Sequence, residues 1–197
     1  MTRKATWLAI AAACGVGVIA ISVASVSPRP ESNGPLAGAA ASGYAVAVPV
    51  GEVVTDAFTV LPVRNSSGDP IELLSIEQVY TEAGVESAGE WFAGLDRDRE
   101  LLVHEQFYRE APPSDARLGT LVPIAGAEAY RDNDGFVPQL LLATRVTRSG
   151  HYRRDGLWIT YTYAGRTYRD YLRSELTICT PDAVDEDGGC PFLTGDD

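Results

Sequence analysis

The chain has 197 residues, 27 acidic against 16 basic, for a net charge of −11, and 45% of it is hydrophobic. No basic stripe of the kind that holds nucleic acid is present, so a nucleic-acid partner is excluded. The charge is also uneven: Arg3, Lys4 and Arg29 lie near the start, and Glu31 is the only acid before residue 50. The chain beyond them is therefore more acidic than the average, which suits solubility rather than one partner. Lys4 is the only lysine, a composition that fits a GC-rich genome.

Residues 6–27 carry no charge. An apolar run of about 20 residues spans a hydrocarbon core of roughly 30 Å as one helix. Arg3 and Lys4 before it keep the N-terminus cytoplasmic and send the rest outside. Length favours a retained single-pass anchor over 1–27. The Ala- and Gly-rich composition favours a cleaved signal sequence and a secreted product, with Ser22-Val23-Ala24 and Ala39-Ala40-Ala41 as small-x-small sites. Lipid attachment at Cys14 fits less well, because the apolar stretch runs on past it, so Cys14 reads as a small apolar helix residue. Each reading exports the same segment. Pro28, Pro30, Pro35 and the Ala/Gly/Ser run that follows make 28–43 a flexible linker.

From Tyr44 the hydrophobic period switches to two. Tyr44–Val48 and Ala57–Val63 read as strands, and Asn65–Pro70 as a turn-rich loop. Ile71–Val79 follows as a strand, then Val85–Phe92 with Val85, Ser87, Gly89 and Trp91 on one face. Glu100–Tyr108 ends at Pro112-Pro113. Leu118–Ile124 is short and edge-like, and Val137–Thr147 is the strongest apolar run after the leader. The last hairpin is the clearest. Leu157, Ile159, Tyr161 and Tyr163 alternate with Trp158, Thr160 and Thr162. Ala164-Gly165 turns the chain, Thr167–Tyr171 returns, and Leu176 and Ile178 lead to Cys179. Strands so spaced, with no convincing helix after the leader, predict an all-β antiparallel sandwich over 44–179.

The stretch Phe58-x-Val60-x-Pro62-Val63-x-Asn65-x-Ser67-x-x-Pro70-Ile71-x-Leu73 resembles the opening of immunoglobulin-like exported domains. The runs Leu140–Val146 with Ser149-Gly150, and Leu157-x-Ile159-x-Tyr161-x-Tyr163-x-Gly165-x-x-Tyr168, resemble their closing half. Single-pass proteins of high-GC Gram-positive bacteria carry such ectodomains. The resemblance implies an immunoglobulin-like sandwich; it transfers no catalytic or binding residue. It also departs from antibody domains, which join their two sheets by a disulfide beside a tryptophan.

Outside the leader only Cys179 and Cys190 remain, an even pair that reads as a disulfide in an oxidising compartment. The loop of about 12 residues would contribute roughly 3 kcal/mol in the chain-entropy view. It opens an acidic tail over 180–197. A Cys/His nucleophile is the less favoured use of these thiols. His104-Glu105-Gln-Phe-Tyr108 starts like a zinc-protease motif but lacks its second histidine, and His104 and His151 are the only histidines. With Met1 the only methionine, Met/His copper chemistry is disfavoured. Asp132-Asn-Asp134-Gly135 and Asp185-Glu-Asp187-Gly188 each contain half a calcium loop but lack its first ligand. Asp182, Asp185 and Asp187 are thus weak metal candidates against a solvated acidic turn. Asn65-Ser-Ser67 is a glycosylation sequon, relevant only in a eukaryotic secretory host.

No nucleophile elbow, phosphate loop or dinucleotide fingerprint occurs. No catalytic residue and no cofactor is assigned. Trp91 reads as core, whereas Trp158 lies opposite the inward set and is the candidate contact residue. The expected function is a non-catalytic, membrane-anchored extracytoplasmic interaction or assembly module with a protein or carbohydrate partner in the envelope. The alternatives are an exported carboxylate hydrolase and a calcium- or ligand-binding module.

Overall fold

The computed structural model describes residues 34–36, 43–61, 63, 69–93, 107–129, 139–186 and 189–191. The segment 1–33, His104, the loops containing Asn65–Ser67 and Asp132–Gly135, and Asp187 lie outside them. Among the described residues no helix is long and apolar enough to cross a membrane.

The described chain is all-β. Its strands are β1 (Tyr44–Ala47), β2 (Val53–Val60), β3 (Ile71–Tyr80), β4 (Val85–Ala93), β5 (Phe107–Tyr108), β6 (Leu121–Pro123), β7 (Glu128–Ala129), β8 (Gln139–Val146), β9 (His151–Tyr163) and β10 (Arg166–Cys179). A single 3₁₀ turn at Ala116–Leu118 interrupts them. One sheet has the order β1-β10-β9-β3-β7, the other β5-β2-β8-β4-β6. Every pairing is antiparallel except one: β1 lies parallel to β10, with Tyr44 opposite Leu176 and Ala47 opposite Cys179. That parallel edge corrects the purely antiparallel expectation. Hairpins can supply only antiparallel neighbours; a parallel partner requires a long crossover, and here the whole domain lies between the two strands.

The β9–β10 hairpin forms around Ala164-Gly165, as expected. Both residues have positive φ, 49° and 74°, the backbone twist that two-residue hairpin turns favour. Strand β9 begins six residues earlier than its hydrophobic alternation indicates, because Arg153-Arg154-Asp155-Gly156 belongs to it. The face expected for β4 is also corrected. A bulge between Ser87 and Gly89 inserts a residue and reverses the alternation. Val85 and Phe92 therefore both reach the interior, and Trp91 points to the opposite side.

Between the sheets lie two apolar clusters. One, toward the hairpin end, joins Leu61, Leu73, Phe92, Leu140, Ile159 and Tyr161 with their neighbours. The other, toward Cys179, joins Val48, Val54, Val146, Tyr152, Leu176 and Ile178. A polar belt separates them. At its centre Arg154 of β9, fully buried, forms an ion pair with Asp56 of β2 in the facing sheet. Its Nε–H donates to the Ser174 carbonyl at 3.1 Å, and its two amino groups reach the Gln78 side-chain oxygen at 3.2 Å and Ser174 Oγ at 3.0 Å. Thr59 donates to Asp56 at 3.1 Å, and Thr144 shares a 2.7 Å hydrogen bond with Tyr80. Burial pushes the Tyr80 hydroxyl above its ordinary pKa, opposed by Arg154.

The outer face of the β2-containing sheet is covered. Trp91, Ala93, Ala57 and Leu141 pack there against Tyr108, Leu118 and Leu121, so the segment 107–123 folds back over its own sheet.

Breaking one half of a buried pair strands the other charge, at a cost of about 3–5 kcal/mol. Arg154→Met or Asp56→Ala should each lower stability by that order in urea titrations. The double variant Asp56→Leu/Arg154→Met should recover part of the loss, because no charge is then left unpaired.

Candidate functional site

The outer face of the β3-β9-β10 region is the opposite case. Side chains alternate along a strand, so the inward set Leu157, Ile159 and Tyr161, all fully buried, puts Trp158 and Thr160 outside. The hairpin register then sets the neighbours. Tyr163 faces Arg166 across the turn, and five residues out Tyr171 faces Trp158. On the other side Trp158 faces Glu77 of β3. Three residues far apart in sequence thus form one row across three strands.

Each member of the row is held. The rings of Trp158 and Tyr171 meet edge-on, with centroids 5.1 Å apart. The Arg169 guanidinium lies 4.7 Å from the Trp158 ring centre, an interaction of about 0.5–1 kcal/mol at an exposed site. Glu77 fixes that guanidinium through a 2.6 Å ion pair. The far end of the Tyr171 ring rests over Gly156. A Cβ added there would sit 2.6 Å from the phenol oxygen and 2.5 Å from the Leu172 carbonyl, so only glycine lets the ring down onto the sheet. Tyr171 stays 40% exposed. Burial of the rest of the ring raises its hydroxyl pKa, and Asp155 adds to that rise.

A charged margin surrounds the aromatic pair. Arg153 pairs with Asp155 at 3.0 Å and with Glu175 at 3.7 Å, and Arg173 also pairs with Glu175. This face of an acidic chain therefore gathers Arg153, Arg169 and Arg173 in company with acids. The arrangement offers aromatic contact and charged hydrogen bonding.

Other residues singled out from the sequence fall elsewhere. Cys179 and Cys190 form a disulfide, with Cα atoms 5.7 Å apart. Asp182 accepts a hydrogen bond from Ser149, which with Thr180 holds its carboxyl below the ordinary range. Asp185 accepts from the Gly189 backbone at 2.7 Å. Asp182 thus ties its loop to the 147–150 connection, and Asp185 ties down its own loop. His151 opens β9 opposite Cys179. Among the described residues no group of three or more His, Cys, Asp or Glu side chains is placed to hold a metal ion. Glu110, like Asp182, is held low, by hydrogen bonds from Ser114, the reverse of what a general acid needs.

No family model, no curated protein and no solved structure matches this chain.

The sequence places Trp158 on the outer side of the hairpin, as the structure does, but does not single out Tyr171, Arg169 or Glu77. The two-residue turn was a sufficient signal for the first two, since counting outward from Ala164-Gly165 sets Tyr171 opposite Trp158 and Arg169 opposite Thr160. Glu77 comes from a strand about 80 positions upstream, and no local signal announces that contact.

A second cluster of tyrosines sits at the hairpin end. Tyr161 and Tyr168 stack with centroids 5.5 Å apart, and Tyr161 donates a 2.6 Å hydrogen bond to Asp170. Burial first, and that hydrogen bond second, drive the Tyr161 hydroxyl far above its ordinary range. Folded Tyr161 and Tyr80 hold their protons more tightly than the unfolded chain does. Their contribution to stability is therefore complete below an unfolded pKa of about 10 and is lost as pH rises past it. Urea midpoints measured from about pH 8 to pH 11 should fall above about pH 10, and Tyr161→Phe should flatten that fall.

Proposed function

We propose that this chain is a non-catalytic interaction module of the cell envelope, an immunoglobulin-like sandwich held outside a membrane by an N-terminal anchor. The observation that carries the interaction reading is the Trp158–Tyr171–Arg169 patch. It sits on the paired strands β9 and β10 with Glu77 of β3 beside it, its rings and guanidinium are already ordered, and its margin is charged. Interfaces concentrate their energy in Trp, Tyr and Arg side chains ringed by polar groups. Groups ordered before contact lose less entropy on binding.

Three further observations support the rest. The first strand runs parallel beside the last, and the two sheets divide as β1-β10-β9-β3-β7 and β5-β2-β8-β4-β6. An immunoglobulin-like sandwich has this arrangement when β2, β3, β4, β8, β9 and β10 take the B, C, D, E, F and G positions. The uncharged run over 6–27 with Arg3 and Lys4 before it supports the anchor and its orientation. The Cys179–Cys190 bridge suits an oxidising compartment.

A photo-crosslinking residue at Ser75, beside Glu77 on the same strand, should capture a discrete partner from the native membrane. Trp158→Ala should leave thermal unfolding cooperative and weaken capture by at least about tenfold, the scale of a hot-spot truncation. Undiminished capture by the folded variant would remove the patch from the proposal.

A further inference from the structure

The segment before β1 is part of the domain at one point. Gly34 donates its backbone N–H to Asp170 Oδ2 at 3.1 Å, the oxygen that also accepts from Tyr161. Two residues on, the Leu36 N–H donates to the Tyr161 hydroxyl at 3.4 Å. Leu36 also bridges to Val63 and packs on the hairpin-end cluster. Gly34 sits in a notch. A Cβ there would lie 1.9 Å from the Tyr161 oxygen and 2.9 Å from the Tyr168 ring. Tyr161 is fully buried, and its ring stacks on Tyr168.

The two ends of this segment fix its direction. Leu36 meets Tyr161, which faces Tyr168 of β10, while Tyr44 faces Leu176 of the same strand. Both chains advance eight residues between these points, so the segment enters at the hairpin end and leaves toward the disulfide end. The connections 49–52, 81–84, 147–150 and 180–186 all lie at that second end. There backbone hydrogen bonds link Gly51 to Val146, Thr147 to Gly84 and Thr180 to Gly150.

We infer that residues 34–36 are a strap that clamps the tether to the hairpin end, so that the anchored domain stands with its β9–β10 turn toward the membrane and its disulfide end outward. The inference rests on the anchored reading above. Without the strap, residues 28–43 would let the domain range up to about 55 Å from the anchor in any orientation. With it, only residues 28–33 remain between anchor and clamp, at most about 20 Å. The 14 residues of β10 then carry the disulfide end about 46 Å farther out.

The test uses the full chain reconstituted in vesicles containing acceptor lipids. A fluorophore is attached through a bio-orthogonal side chain at Arg166, beside the turn, or at Glu82, at the far end. Energy transfer to the lipids should be severalfold greater from position 166 than from 82. Gly34→Val should abolish that difference while unfolding stays cooperative. Equal transfer in the wild-type chain would overturn the orientation, and a difference that survives Gly34→Val would overturn the strap as its cause. If Gly34→Val does not fold, Tyr161→Phe replaces it, since it removes the hydroxyl that receives Leu36. A chain that fails to float with the vesicles would overturn the anchored reading instead. The strap is then judged from hydrogen exchange: a protected Leu36 amide that Gly34→Val exposes upholds it, and an unprotected one in the wild-type chain sinks it.

Discussion

The buried pair of Arg154 and Asp56 is the constraint around which this sandwich is arranged. Two charges cannot sit between two sheets unless their hydrogen bonds are nearly all met. Here Ser174, Gln78 and Thr59 complete the set, from strands in both sheets. The belt is also where several strands slip. Irregularities fall between Asp56 and Thr59, between Arg173 and Leu176, between Ser87 and Gly89, and between Val79 and Tyr80, where Asp155 of β9 is the added residue. An added residue reverses which side chains face inward. On β2 and β9 that reversal lets polar groups at the belt and apolar groups beyond it both point to the interior. Displacing the ladder by two residues on either strand, which keeps the inward set inward, would carry a charge into an apolar cluster. The pair thus disfavours slips that the apolar alternation alone would accept.

The two outer faces differ in packing for a reason visible in their sequences. The β2-containing sheet is covered by Tyr108, Leu118 and Leu121, and so behaves as a second, smaller core. The β9–β10 sheet presents Trp158, Tyr171 and a set of arginines paired with acids. Each such pair on its own contributes little in water. Arg169, held by Glu77, lies against the Trp158 ring, and the other pairs form a charged margin beside it.

The parts of the fold that local alternation dictates were readable from the chain: the apolar run of β8, the hairpin, and Trp158 on its outer side. The N-terminal part of β9 was not readable. Arg153-Arg154-Asp155-Gly156 looks like a polar turn until Asp56, 98 residues away, supplies the partner that makes an inward arginine tolerable. Val85 and Trp91, expected on one face, part onto opposite sides for a comparable reason, since the bulge between Ser87 and Gly89 answers to β8 across the sheet. Of the patch, Tyr171 and Arg169 follow from the turn by counting, whereas Glu77 depends on how β3 docks. Long-range partners decide these positions, and a single sequence does not display them.

The parallel pairing of β1 with β10 gives the domain a mechanical character. The chain enters β1 from the hairpin end and leaves β10 at the opposite end. Drawing those two points apart slides one strand along its neighbour instead of peeling it away. The ladder from Tyr44–Leu176 to Ala47–Cys179 is then loaded in shear, with its hydrogen bonds sharing the force at once. A β-hairpin pulled at its open end would instead release its bonds one after another.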